Sequence, residues 1–259
     1  MDLNESVVVI TGASSGIGED VALRCAAKGA QLVLAARSAD KLAALEQRIA
    51  QAGGRVMAVT TDVTDTAQVQ HLADTTLQQH GRVDVLINNA GFGIFDPFIN
   101  AQFDDLERMM RVNFYGMVHC TRAFVPQMIE GRRGQIINVA SIAGIIAMRN
   151  MAFYTATKFA VIGFSRSLQH ELRSTGVNCA VISPGPVRTN FFEQAEEQKM
   201  ARLSRLSPWL KAEDVTRAVI RAIEHNQSGE IILPAITRPL VVLGRAFPGL
   251  VKLVARITG

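Results

Sequence analysis

Two residues of complementary chemistry stand four apart in the stretch Phe153–Lys158, FYTATK. Helical spacing places Tyr154 and Lys158 on one face, where a phenol and an ammonium can share the work of proton transfer. A free tyrosine, with a pKa near ~10, is a poor base at neutral pH. An ammonium ~4 Å away favours the phenolate by ~4 kcal/mol at an effective dielectric of ~20. That is worth up to ~3 pKa units before desolvation and screening reduce it. Such a pair is common by chance on a helix, and its company gives it weight. Ser141 ends the apolar run of NVAS, Asn88–Gly91 (NNAG) ends another, and Pro184–Thr189 (PGPVRT) follows a third. Asn113 lies in the long helical stretch that precedes the serine. Each alone reads as a helix cap, a turn or a buried amide; falling together on one edge of a sheet, they read as a site.

A second group of residues points to a phosphate ligand. Gly12, Gly16 and Gly18 give the spacing G-x-x-x-G-x-G in Thr11–Gly18, TGASSGIG. Glycines there let a backbone approach a pyrophosphate closely, and the helix start that follows supplies amide donors and partial positive charge. The spacing differs from G-x-G-x-x-G, so that fingerprint is not the one matched. At the end of the next apolar run the chain reads Ala36–Arg37, with no carboxylate until Asp40. An acidic side chain at that point would bind a ribose 2′-hydroxyl, whereas a guanidinium grips a 2′-phosphate with paired donors. The expected cofactor is therefore NADP(H).

Both groups need a scaffold that brings them to one edge. Continuous apolar runs predict strands at Val7–Thr11, Gln31–Ala35, Arg55–Thr60, Val83–Ile87, Gln135–Val139, Val177–Ile182 and Glu230–Leu233. Helices are expected over Gly18–Lys28, Asp40–Ala52, Asp65–His80, Asp104–Glu130 and Phe153–Ser174. Strands apolar at every position are those covered on both faces. The alternation predicts one doubly wound α/β domain, Rossmann-type, with a mainly parallel seven-stranded sheet and helices on both faces. It is expected over residues 1–235, with a helical lid at 189–210 and a C-terminal extension at 236–259.

At this point the chain resembles the short-chain dehydrogenase/reductases, through TGASSGIG, NNAG, Asn113, Ser141, Tyr154-x-x-x-Lys158 and PGPVRT. The resemblance implies that Tyr154 is the acid–base residue and that Lys158 lowers its pKa while holding the nicotinamide ribose. It implies that Ser141 hydrogen-bonds the substrate oxygen, and that Asn113 helps a water and Lys158 form a proton relay. By the same resemblance Asp62 contacts the adenine, Asn89 and Gly91 back the ribose, and Val187 and Thr189 meet the nicotinamide amide. Arg37 matches the position that takes the 2′-phosphate. Ser14, Ser15, Ile17, Val63, Ala90, Pro184 and Gly185 complete the implied cofactor-binding set with the three glycines. The family's long helices build dimers and tetramers, so a homodimer or homotetramer is expected.

The apolar residues expected around the substrate include Phe92, Phe95, Phe98, Ile145, Ile146, Met148 and Met151, then Phe191, Phe192, Leu203, Leu206 and Trp209. They suggest a lipophilic carbonyl or alcohol, with a 3-oxoacyl group on a carrier protein, or a cofactor-binding regulator without turnover, as the alternatives. Cys25, Cys120 and Cys179 lie far apart, with no pairing that suggests a disulfide or a metal site. The net charge of +4 comes from 231–259, which holds Arg238, Arg245, Lys252 and Arg256 and no acidic residue. A balanced body with a basic tail gives no support to nucleic-acid binding. Leu250, Leu253, Val254 and Ile257 follow i, i+3, i+4, i+7, so the tail either packs on the body or another subunit, or lies on an anionic membrane. With a strand beginning at Val7 and no apolar run of ~18 residues, a soluble, cytoplasmic protein is expected, peripheral to a membrane at most.

Overall fold

Val7–Thr11 is apolar or β-branched at every position and forms the fully buried strand β1. The computed structural model describes residues 1–189 and 208–239. From β1 the chain runs α1 (Gly16–Ala27), β2 (Gln31–Ala36), α2 (Ala39–Gln51), β3 (Arg55–Thr60), α3 (Thr66–His80) and β4 (Val85–Asn88). Then follow α4 (Phe103–Met110), α5 (Met117–Glu130), β5 (Gly134–Val139), α6 (Ala152–Glu171) and β6 (Val177–Pro184). The short strands β7 (Val187–Arg188) and β8 (Leu210–Lys211), helix α7 (Ala212–Glu224) and strand β9 (Gly229–Leu233) complete the described elements.

Seven strands form one sheet in the order β3-β2-β1-β4-β5-β6-β9, and every pair in it is parallel. The order reverses between β1 and β4, and there the connections leave in opposite directions and open a crevice. One face of the sheet carries Val8, Ile10, Leu32 and Leu34 against α1, α2 and α7; the other carries Val7, Val9, Val33 and Leu86 against α3, α5 and α6. Cys25, Cys120 and Cys179 are free and sit in these cores, where burial pushes each thiol up to about 12. No helix among the described residues is long and apolar enough to cross a membrane.

The elements read from the sequence are present with ends moved by up to three residues, apart from two main differences and the two-residue strands β7 and β8, which were not expected and of which β8 begins inside the stretch expected as a helical lid. The stretch expected as one helix from Asp104 to Glu130 is interrupted at Arg111–Gly116 by a π-helical turn, and this turn holds Asn113. Single π-turns recur at functional sites because the extra residue redirects side chains. Helix α7 is the second difference: no helix was expected at 212–224, although Val215, Val219, Ile220 and Ile223 follow helical spacing and are buried. Of the expected lid at 189–210 and extension at 236–259, residues 190–207 and 240–259 lie outside the described residues. Strands β7 and β8 pair in parallel, Val187 with Leu210 and Arg188 with Lys211.

At the amino edge of the sheet, away from the crevice, Asp84 is 1% exposed. Its Oδ2 accepts from the Val7 amide at 2.9 Å, and Oδ1 pairs with Arg82 and, at 3.1 Å, with Arg133. One carboxylate thus ties the starts of β1, β4 and β5. The guanidinium ends are half-exposed, so the ion pairs contribute little, while an orphaned buried amide costs about 1–3 kcal/mol. Asp84→Ala should therefore lower unfolding free energy by about 1–3 kcal/mol in urea titrations, and leave ligand binding at the far edge unchanged.

Candidate active site

The crevice at the carboxyl ends of β1 and β4 is a cavity of about 720 Å³. Every residue of the expected cofactor set lines it except Gly18, and Ser141, Tyr154 and Lys158 line it too. Gly18 acts from beneath: a Cβ on it would stand 2.3 Å from the Gly12 carbonyl oxygen. Only glycine lets the first turn of α1 press this closely on the loop that precedes it. Ser15, Gly16 and Ile17 open α1 and face the cavity, so the helix N-terminus presents free amides and partial positive charge there. Asn89 fixes the loop by donating from Nδ2 to the Thr11 and Gly12 carbonyls, each at 3.1 Å. The Thr11 hydroxyl accepts from the Asn89 and Ala90 amides.

Arg37 follows β2 on the cavity wall with Ser38; it is exposed and makes no ion pair among the described residues. Asp62 stands after β3, its Oδ1 accepting from the Thr64 amide at 2.9 Å and the Thr64 hydroxyl at 2.8 Å. Thr61 and Thr64 were not singled out in the sequence, and neither were Arg108, Arg111 and Val112, which also line the cavity. Only the rotation of α4 and the π-turn shows which of their side chains face inward, so sequence spacing carried no signal for them. Arg108 lies with its guanidinium carbon 5.7 Å from the Phe92 ring centre, the geometry of a cation–π contact.

Tyr154 is 5% exposed, with the Phe95 ring edge-on at 5.2 Å. Burial pushes its phenol up, and the hydrogen bond with Ser141 brings it part of the way back. Lys158 is 4% exposed and donates from Nζ to the Val139 carbonyl at 3.1 Å; burial brings its ammonium down to about 8. Its Nζ stands 5.8 Å from the centre of the Tyr154 ring. In the ligand-free protein burial is the largest influence on the phenol, and what lowers it is the Ser141 hydrogen bond. Desolvating each charge costs several kcal/mol, more than the attraction of a lysine bonded elsewhere returns. A phenol that resists ionisation holds its proton.

Asn113 does not line the cavity. Its Oδ1 accepts from the Phe92 amide at 2.9 Å, and Nδ2 donates to the Phe92 carbonyl at 2.9 Å and to the Thr157 hydroxyl at 3.1 Å. Thr157 in turn donates to the Tyr154 carbonyl at 2.8 Å. The side chain of Asn113 is fully engaged as a brace between the loop after β4 and the helix that carries Tyr154. Thr157 shares this role and was missed, because nothing in its type separates it from any helical threonine. Phe92, Ile94, Phe95, Met109, Met148 and Met151 gather around Tyr154 in one apolar cluster, whereas Ile145 and Ile146 pack elsewhere and Phe98 is 69% exposed. Phe191, Phe192, Leu203 and Leu206 lie outside the described residues. Among the described residues no group of His, Cys, Asp and Glu could hold a metal.

Residues 6–200 match the family model described as short chain dehydrogenase. The chain is 35% identical, over 224 residues covering 85% of it and 92% of the relative, to an uncharacterized oxidoreductase of Staphylococcus aureus strain MRSA252. It is 37% identical over 201 residues, 75% of this chain and 76% of the relative, to 3beta-hydroxysteroid dehydrogenase 2 of Eggerthella lenta. A short-chain dehydrogenase/reductase of Burkholderia phymatum in complex with NAD superposes with a TM-score of 0.88 at 31% identity, covering 96% of both chains. A metagenomic short-chain oxidoreductase in complex with NADP gives a TM-score of 0.77 at 31% identity, over 90% of this chain and 97% of that one.

Of the chain's 2 tyrosines, Tyr154 should ionise late. In an alkaline absorbance titration, the phenolate signal missing from a Tyr154→Phe variant should have a midpoint above the ~10 of a free phenol. A midpoint below that value would mean that Lys158 outweighs burial.

Proposed function

The chain belongs to the short-chain dehydrogenase/reductase family of oxidoreductases, and from that premise we propose that it interconverts a lipophilic ketone or aldehyde and its alcohol, with NADP(H) as cofactor and Tyr154 as acid–base group. One observation carries the reading: the α1 N-terminus, Arg37 and the Ser141–Tyr154 pair all face a single cavity. The residues present fit a dinucleotide. The close seat of Gly18 on Gly12 forms the cradle of a pyrophosphate, and an exposed guanidinium with Ser38 beside it suits a 2′-phosphate better than a bare hydroxyl. The relatives in complex with NAD and with NADP support the coarser statement that this fold takes a nicotinamide cofactor; Arg37 supports the choice between them.

When bound, the reduced cofactor supplies a hydride. A carbonyl carbon takes that hydride while the carbonyl oxygen takes the Tyr154 proton, and oxidation of the alcohol reverses both transfers. Ser141, bonded to the phenol, is placed to donate to the same oxygen. Lys158, with its ammonium near pH 8, can return a proton to the phenolate within the working range. Asn113 and Thr157 brace the helix that aims Tyr154. The apolar cluster around Tyr154, and the similarity to a hydroxysteroid dehydrogenase, favour a lipophilic substrate.

Fluorescence titration of NADPH and NADH into the purified protein tests the cofactor. NADPH should bind more tightly, and Arg37→Ala should weaken it about 10- to 100-fold, the worth of a lost charge-assisted contact, with NADH little changed. Equal binding of the two would show that Arg37 does not read the phosphate. Turnover of steroid, retinoid and aromatic carbonyls would fall about 10²- to 10⁴-fold in Tyr154→Phe, with NADPH affinity retained. A protein that binds NADPH but whose output ignores this substitution would be a regulator.

A further inference from the structure

The turn 61–64, between β3 and α3, forms one wall of the cavity. Most of its anchors come from close by in sequence or from the neighbouring strand. The Asp62 amide donates to Gln68 Oε1 at 2.9 Å, Thr64 donates twice to Asp62 Oδ1, and the Thr61 amide donates to the Ala36 carbonyl at 2.9 Å. Val63 is held differently, from the long helix across the site. Nδ1 of His119, in the first turn of α5, lies 3.1 Å from the Val63 carbonyl oxygen. One residue type in one place, Gly116, permits that approach: a Cβ there would stand 2.5 Å from Val63 Cγ2. Gly116 and His119, three apart, therefore seat the side chain and the carbonyl of the same residue. The Val63 amide is left without a hydrogen-bond partner among the described residues, on a residue that lines the cavity.

A carbonyl oxygen only accepts, so Nδ1 of His119 must carry a proton, which makes Nε2 the unprotonated nitrogen of the neutral ring. The bond thus survives protonation of the ring and works as a fixed strut. We propose that His119 is a positioning residue for the nucleotide, its Nδ1–H bond to Val63 setting the turn that faces the adenine end of the cavity. The inference rests on the dinucleotide reading of that cavity. It concerns affinity and not the chemical step, because His119 reaches the site through Val63, while Lys158 is bonded separately to the Val139 carbonyl.

Direct binding measured by calorimetry separates this role from others, with three probes. NADPH and adenosine 2′,5′-bisphosphate contain adenine, and reduced nicotinamide mononucleotide does not. His119→Ala should weaken the first two by a common factor of about 3- to 10-fold, the loss of one neutral hydrogen bond. The mononucleotide affinity, and turnover at saturating NADPH, should stay within about twofold. His119→Asn, whose Nδ2 can stand where Nδ1 stood, should restore binding. Unchanged affinities in His119→Ala, an asparagine variant as weak as alanine, or equal weakening of the mononucleotide would each overturn the role. Ring ¹⁵N shifts in the wild-type protein test it without any variant: an Nε2–H tautomer for His119 at neutral pH would also overturn it. Wild-type protein that binds neither adenine nucleotide would instead overturn the dinucleotide reading, and His119's role with it.

Discussion

The hydroxyl of Thr11 sits where β1 and β4 end side by side and their connections part in opposite directions. It is 1% exposed, accepts from the amides of Asn89 and Ala90, and donates to the Ile87 carbonyl. A parallel sheet that reverses its strand order leaves backbone donors unpaired at that edge, and these bonds satisfy them. The glycine loop and the NNAG loop become one rigid floor, to which Asn89 adds two more bonds. Everything else in the site is measured from this floor, including the α1 N-terminus, the turn after β3 and the helix that carries Tyr154.

A second constraint is the competition between burial and charge. Tyr154 and Lys158 are almost completely buried, and each is pushed toward its neutral form. Two groups that would attract each other as ions in water are both biased by their surroundings towards the uncharged form, the phenol keeping its proton and the ammonium holding its own less tightly. Phe95 contributes to this directly with its ring against the phenol. In the resting protein the phenol keeps its proton, and the ammonium loses its own more readily than a free lysine does. Charges brought by a ligand would then shift both groups together.

The π-turn at Arg111–Gly116 joins the two ends of the cavity mechanically. Asn113 braces Phe92 and, through Thr157, the backbone of Tyr154. Val112 lines the cavity wall, and Gly116 seats Val63. An uninterrupted α-helix would rotate these residues by the angle of one extra residue, and could not aim Asn113 and Gly116 at their present partners together. The wider π-turn is therefore a condition of the site and not an irregularity beside it.

Much of this was legible in the chain. Runs such as Val7–Ile10 and Leu32–Ala36 are apolar without a break, so their burial on both faces, and hence a parallel sheet, followed from local pattern alone. Asp65 and Gly81 marked the ends of α3 because an Asx cap and a left-handed terminator act within a few residues. The residues with distinctive chemistry, Ser141, Tyr154, Lys158, Arg37 and the glycines, were legible by type and spacing for the same local reason. Helix α7 was missed even though its spacing was regular. What only the tertiary structure decided depends on distance across the fold: that Tyr154 and Lys158 are buried together, that Asn113 bonds both Phe92 and Thr157, and that Thr11 and His119 bond the loops bordering the cavity. A hydroxyl or imidazole gains such a role from the groups it meets, and for each of Thr11, Thr157 and His119 at least one partner lies tens of residues away in sequence.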